Sequence, residues 1–253
     1  MIGAYLRRGL LAGLLAGLLA GLVATIVGEP EMDAAIRLEE RTAGAPVSAA
    51  DSPTVITRGQ QKAGLLLGTA LLGTAAGAVF AIAGAWAVGR VGGDGWARSL
   101  KLGVAAAAGL VLLPAVKYPP NPPAVGDPDT IGSRTTLYLG VVLLGGLLAA
   151  TVWAADRQLA GSRLRPPARG LLVVAGALLL AAALLAALPA AEGAPVTYPA
   201  ELLWRFRLGS VAVQLTLVGA LAAGFGLLTE RAERQADPQP GRQADPQTRP
   251  ADG

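Results

Sequence analysis

Apolar residues are gathered along this chain into six blocks, at 9–27, 63–89, 102–116, 136–155, 170–188 and 208–228, with more polar intervals between them. A helix needs about 20 mostly apolar residues to cross a bilayer, so five of these blocks predict full spans. The third is short and carries Pro114 near its end. It predicts either a tilted short span or a half-helix leading into a re-entrant loop. The expected fold class is therefore an all-α integral membrane protein with about six transmembrane helices, five if the short third stretch does not span. The helical transmembrane domain is expected over 1–229, with a Pro-rich extracytoplasmic or re-entrant loop after the third block.

Within the first block Gly9, Gly13, Gly17 and Gly21 recur every fourth residue. At 100° per residue this spacing drifts by only about 40° per step, which leaves one smooth glycine face. Ala12, Ala16, Ala20 and Ala24 run beside it, and the second block repeats the device with Gly64 and Gly68, then Gly73 and Gly77. Small faces let helix backbones approach closely in lipid, where packing replaces hydrophobic burial as the driving force. Tight packing is the plainer reading, and a sliding or pore-lining surface is the alternative. The polar side chains at depth are Thr69, Thr74, Thr151, Gln214 and Thr216. Because intramembrane ionisable groups usually mark transport paths, a conducting route here has to lean on end segments, backbone carbonyls or a partner.

Composition agrees with the block pattern. Hydrophobic residues make up 53% of the 253, charged residues 15%, aromatics 4%, and the mean hydropathy is +0.52. A soluble domain carries about 25% charge. The chain has no cysteine and no histidine, which excludes disulfides, thiolate metal sites, a cysteine nucleophile and any imidazole base or ligand. Neither Lys62, Lys101 nor Lys117 ends a phosphate-binding G-x-x-x-x-G-K-[ST] loop. A net charge of +4 is explained by topology and not by nucleic acid, because the basic residues alternate with apolar blocks. Thirteen of the 21 fall on the side of both termini and eight on the other, whereas ten of the 17 acids fall on that other side. Both termini are thus expected in the cytoplasm, with the chain in the inner (cytoplasmic) membrane and surrounded by lipid. The first block lacks an A-x-A cleavage site and reads as a retained helix, not a signal peptide. The segment 230–253, in which RQADPQ recurs at a spacing of eight residues, reads as a disordered cytoplasmic tail.

Two polar segments carry candidate chemistry. The first, Gly28-Glu29-Pro30-Glu31-Met32-Asp33-Ala34-Ala35-Ile36-Arg37-Leu38-Glu39-Glu40, predicts a short helix capped by Glu29 with Pro30 at its first position. Glu29 and Asp33 then sit one turn apart just outside the membrane, as a cation-collecting pair or as a cap plus an Asp33–Arg37 pair. The second runs from Lys117 to Arg134 and holds four prolines in the five positions 119–123. That density forces an extended chain with unpaired carbonyls. With Asn121, Asp127 and Asp129 these make an all-oxygen donor set of the kind hard divalent cations take. The competing reading is a surface turn in which Asp127 caps the fourth helix.

These two segments, G-E-P-x-x-D-A-A-I-x-L-E-E at 28–40 and K-Y-P-x-N-P-P-A-V-G-D-P-D-T-I-G-x-R-T at 117–135, resemble the CbtA family of cobalt transporter subunits. The order of features is similar to that family across nearly the whole chain, although the family is described with five spans. The resemblance implies a membrane subunit for uptake of cobalt(II) linked to cobalamin biosynthesis, working with a small histidine-bearing membrane partner, CbtB. It carries the motif positions Glu29, Pro30, Asp33, Lys117, Asn121, Asp127, Asp129 and Arg134 but no catalytic or permanent cofactor-binding residue. Glu29, Asp33, Asn121, Asp127 and Asp129 are the candidate transient ion ligands, and Gly9, Gly13, Gly17, Gly21, Gly73 and Gly77 the candidate helix-packing positions. Two other functions fit the residues less fully. One is a non-transporting assembly protein. The other is a membrane lipid-phosphate enzyme holding Mg²⁺ at Asp127 and Asp129, whose phosphate clamp would have only Lys117, Arg134, Arg205 and Arg207.

Overall fold

A computed structural model describes residues 2–42, 57–122, 125–126, 128–191 and 198–236. Among them the chain is helical apart from its connections, and six helices are long and apolar enough to cross a membrane. The first is built from α1 (Ile2–Val23), a π-helical turn (Ala24–Gly28) and α2 (Glu29–Thr42). Then come α3 (Arg58–Ala87), and α4 (Gly95–Ala106) joined through a second π-helical turn (Ala107–Leu112) to α5 (Leu113–Lys117). A 3-10 turn (Pro128–Thr130), α6 (Ile131–Ala160), α7 (Pro166–Ala187) and α8 (Ala200–Ala236) complete the order. The third stretch is therefore part of a continuous 23-residue helix, Gly95–Lys117, which is itself long and apolar enough to cross a membrane.

The two π-helical turns share a cause. Each ends two residues before a proline, Pro30 or Pro114. Proline has no N–H to donate and its ring crowds the carbonyl four residues back, so a helix that continues through it must widen locally. Here the Glu29 N–H reaches the Ala24 carbonyl and the Leu113 N–H that of Ala108, five residues back in both cases. This corrects the expectation that Glu29 caps a new helix. The first span does not stop at Val27 but runs on, carrying Glu29 and Asp33 along its own continuation.

Helix α1 lies between α3 and α8 and turns a different small face to each. Toward α3 the glycine face makes backbone contact. A Cβ built on Gly13 would fall 2.9 Å from Gly77 Cα, one on Gly17 2.9 Å from Ala70 Cα, and one on Gly73 2.6 Å from Gly17 Cα. Gly9 meets Gly77 and Ala81, and Gly21 meets Thr69, so the two helices run antiparallel. Gly64 and Gly68 have nothing within 4 Å, so α3 uses only the later pair of its glycines. The alanine face of α1 meets α8, where Ala12 and Ala16 join Phe80, Ala81, Leu221, Ala222 and Phe225 in the buried core. Phe80 and Phe225 pack edge to face at 5.5 Å, and Gly84 leaves the room that the Phe225 ring fills. Large apolar side chains point outward instead, with Leu15 66%, Leu143 74% and Leu179 73% exposed. Small residues inside and large ones outside suit a bundle whose solvent is lipid.

Beyond α8 lies α4, held by Gly103 against Ala222 and by Ser99, whose buried Oγ donates to the Ala222 carbonyl at 2.6 Å. Gly109, in the second π-helical turn, touches Gly145 of α6 backbone to backbone. Helix α7 packs on α6, buries no residue, and is tied at one end by Arg169 to Asp156 at 3.1 Å.

At the end of the bundle where α1 begins, α8 continues seven residues past the expected boundary at Thr229. Glu233 explains why. Its Oε2 accepts from the Gly95 N–H at 2.8 Å, its other oxygen pairs with Arg98, and Glu230 pairs with Arg234 one turn on. A carboxylate at the first turn of α4 satisfies an orphan N–H and meets the positive end of the helix dipole. The remainder of the assigned tail, from Asp237 onward, lies outside the described residues.

Two outcomes are expected from this packing. Gly13→Val and Gly77→Val each force the α1 and α3 backbones apart and cost about 3 kcal/mol in detergent unfolding measurements, whereas Gly64→Val and Gly68→Val, facing open space, stay near wild type. Glu233→Gln lowers stability by about 1 kcal/mol in the same assay, a modest figure because the carboxylate is partly exposed.

Candidate functional site

The described residues of the Pro-rich segment lie at the opposite end of the bundle, together with α2, residues 188–191 and 198–199 between α7 and α8, and the first turns of α6 and α8. Its leading residues are fasteners. Lys117 Nζ donates to the carbonyls of Leu185 at 2.7 Å and Leu188 at 2.8 Å, and the Tyr118 hydroxyl donates to the Pro189 carbonyl at 3.0 Å. The last carbonyls of a helix have no partner within it, and a cation there also meets the negative end of the helix dipole. The Lys-Tyr pair thus closes the C-terminus of α7 and holds it to α5.

Further along, Asn121 Oδ1 accepts from Arg207 Nη2 of α8 at 2.8 Å. Arg134 Nη1 donates to the Val125 carbonyl at 3.2 Å, and its guanidinium lies against Gly126. Gly126 is required there twice over. Its φ of +106° disfavours any side chain, and a Cβ would come within 2.9 Å of Arg134 Cζ. Asp127 lies outside the described residues. Asp129 is exposed on the 3-10 turn that leads into α6.

The acidic pair is positioned differently. Glu29 and Asp33 sit on consecutive turns of α2, both half-buried, with Lys62 Nζ of α3 4.0 Å from Glu29 Oε2. Among the described residues no group of three Asp, Glu, His or Cys side chains is close enough to hold a metal ion. Glu29, Asp33 and Asp129 therefore do not converge on one site. The reason is the continuous first helix, which carries the pair along its own axis beside α3, while Arg207 and Arg134 fasten the Pro-rich segment to α8 and α6.

Between these parts opens a cavity of about 700 Å³, walled by Met32 of α2, Tyr118 and Asn121 of the Pro-rich segment, Arg134 and Tyr138 of α6, and Phe206 of α8. No described carboxylate lines it. The proline and aromatic rings make its surface mainly apolar, with a few polar groups at the edge, the usual make-up of a small-molecule site. Ahead of α8, the Tyr198 hydroxyl is buried without a hydrogen-bond partner. Burial, and after it the Glu39 carboxylate, raise the Tyr198 pKa above its ordinary value. Sequence reasoning gave Arg207 only as one of four cations for a phosphate clamp and did not single out Gly126 or Tyr198. Arg207 and Tyr198 belong to no motif, and Gly126 stood inside one without a stated role.

A family model described as CbtA, "Probable cobalt transporter subunit (CbtA)", matches residues 2–230. No curated protein and no solved structure matches the chain.

Tyr198 gives a pH test of this end of the bundle. Its raised pKa means that the folded state holds the phenolic proton more tightly than the unfolded one. The contribution is fully present below the ordinary phenol pKa of about 10 and is lost as pH rises through the higher folded value. Thermal unfolding is expected to show Tyr198→Phe equal to or more stable than wild type at neutral pH, since no hydrogen bond is removed. Above about pH 10 the wild type should lose stability faster than the variant. Parallel profiles would show that the phenol titrates as if exposed.

Proposed function

The chain belongs to the CbtA family of cobalt transporter subunits, and we propose that it is the membrane body of a two-component uptake system that brings cobalt(II) into the cell for cobalamin biosynthesis. In this reading the basic end, with both termini, faces the cytoplasm, and the Pro-rich end faces outward in the inner membrane. The observation that carries the proposal is the distribution of ligands. The chain has six described helices long and apolar enough to span a membrane but no histidine and no cysteine, and its described carboxylates at the Pro-rich end form no group of three. Cobalt(II) takes imidazole readily, whereas oxygen donors suit Mg²⁺, Ca²⁺ or Mn²⁺ at least as well. Selection of cobalt then belongs to a small histidine-bearing membrane partner of the CbtB kind, and this chain supplies the passage with Glu29 and Asp33 as an acidic relay at its mouth. Asn121, Asp127 and Asp129 are the further transient oxygen ligands. No resident cofactor and no catalytic step enter this reading. Inward movement of a dication releases about 4.6 kcal/mol per 100 mV of inside-negative potential, so flux needs no nucleotide hydrolysis by this chain.

The test is cellular uptake of labelled cobalt, with manganese and magnesium in parallel, in cells expressing the chain alone and with the histidine-bearing partner. Cobalt uptake that requires both chains is the expected result. Glu29→Gln and Asp127→Asn should each lower it several-fold at unchanged membrane abundance. No metal uptake under either condition, with both proteins present in the membrane, would overturn the transport reading.

A further inference from the structure

The basic end of the bundle carries a cluster that metal transport does not use. Trp86, in the last turn of α3, and Trp153, near the end of α6, pack against each other with ring centroids 4.8 Å apart and a tilt of 57°. A guanidinium one turn further along each chain segment lies over each indole, Arg90 at 5.3 Å from the Trp86 ring and Arg157 at 5.1 Å from that of Trp153. Three neighbouring cations are committed elsewhere. Arg98 pairs with Glu233, Lys101 donates to the Gly92 carbonyl at 2.7 Å, and Arg169 pairs with Asp156. Arg90 donates to the Trp86 carbonyl at 3.0 Å, which fixes it above the ring without neutralising it. Among the described residues neither Arg90 nor Arg157 has a carboxylate partner, and both are exposed.

Two planar guanidiniums without a carboxylate partner, each held over one of two touching indoles, can accept an anion. Arginine forks match phosphate oxygens in pairs, and the ring faces restrict the side-chain freedom that would otherwise be lost on binding. The source of the phosphate follows from what lies next to it. Val79 and Ile82 continue the Trp86 stripe along α3 toward the middle of the membrane and are 69% and 61% exposed, with Trp86 itself 47% exposed. Indoles settle at the headgroup level of a bilayer, which puts the guanidiniums at the phosphate plane and the Val79–Ile82 stripe among acyl chains. We propose that Trp86, Arg90, Trp153 and Arg157 form a binding site for the headgroup of an anionic phospholipid, whose acyl chain lies along the exposed face of α3. A lipid in this place clamps the ends of α3 and α6 together through its phosphate.

The experiment is native mass spectrometry of the full chain in mild detergent, titrated with phosphatidylglycerol or phosphatidylcholine of matched acyl chains. The wild type should retain phosphatidylglycerol in clear preference. The double variant Arg90→Gln/Arg157→Gln should lose about tenfold or more of that retention. Arg163→Gln/Arg165→Gln, which removes the same charge from the neighbouring loop, should keep it. Equal retention of the two lipids by the wild type overturns the proposal without recourse to any variant. Equal losses in the two double variants also overturn it, since the effect would then be net charge. Displacement of the lipid by inorganic phosphate alone would show an anion site with no lipid character and would overturn it as well. Unchanged helical circular dichroism and monodisperse elution of each variant keep the comparison one of binding.

Discussion

Backbone-to-backbone contact between glycines is the interaction on which this bundle rests. In water a helix pair is driven together by removal of apolar surface, but lipid tails solvate leucine as well as a neighbouring helix does. What remains is dispersion between closely approaching atoms, and it is strong only when nothing stands between the backbones. Gly9, Gly13 and Gly17 of α1 with Gly73 and Gly77 of α3 reach that limit, as do Gly109 and Gly145 in the other half of the molecule. The adjoining alanine face of α1 is slightly thicker and accepts the larger Leu221 and Phe225 of α8. One helix thus carries two surfaces of different depth, and its neighbours are sorted by the size of their own side chains.

Charge works at the ends of this packing and not inside it. At the basic end Glu233 joins the last turns of α8 to the start of α4. At the Pro-rich end Lys117 closes α7, Asn121 meets Arg207, and Arg134 grips the carbonyl of Val125. Each fastener links a glycine-packed or loosely packed helix to a neighbour where water and headgroups lower the cost of a charged group. Helix α7 shows the division most plainly. No residue of it is buried, yet both of its ends are tied by a cation, Arg169 to Asp156 and Lys117 to the terminal carbonyls.

Much of this was legible because its signals are local. Apolar blocks of membrane length and a glycine every fourth residue need only a few turns of sequence to be seen. Which glycines of α3 would be used was not legible: Gly64 and Gly68 have the same spacing as the α1 series but lie on the face of α3 turned away from α1, whose contact runs through Leu66, Thr69, Ala70, Gly73 and Gly77. The prolines misled for a related reason. Pro30 after an acidic residue has the form of a helix start, and only continuation of the first span, with Ala24 accepting from Glu29, shows that the same residues widen a helix already under way. Glu233 was hidden by composition, since a polar, repetitive segment gives no sign that its first turn meets a helix N-terminus more than a hundred residues earlier. Lys117 and Asn121 were visible as members of a motif, but their partners on α7 and α8 follow no pattern along the chain.

The separation of the acidic pair from the Pro-rich segment bears on how an ion could follow this protein. A dication leaving water loses hydration that a few oxygens must replace at close range, and Glu29 with Asp33 supplies at most part of such a shell. Toward the middle of the membrane the spans offer only threonines, one glutamine and backbone. The threonine hydroxyls at 69, 74, 151 and 216 donate to carbonyls of their own helices three or four residues back. Those hydroxyl protons are therefore spoken for, although each oxygen keeps lone pairs. An ion that moves through such a body must remain hydrated along a gap between helices or be accompanied by ligands from another chain. Tight glycine contacts leave little room for the first route between α1 and α3, so beside Glu29 and Asp33 the second route, with ligands brought by another chain, is the one this packing favours.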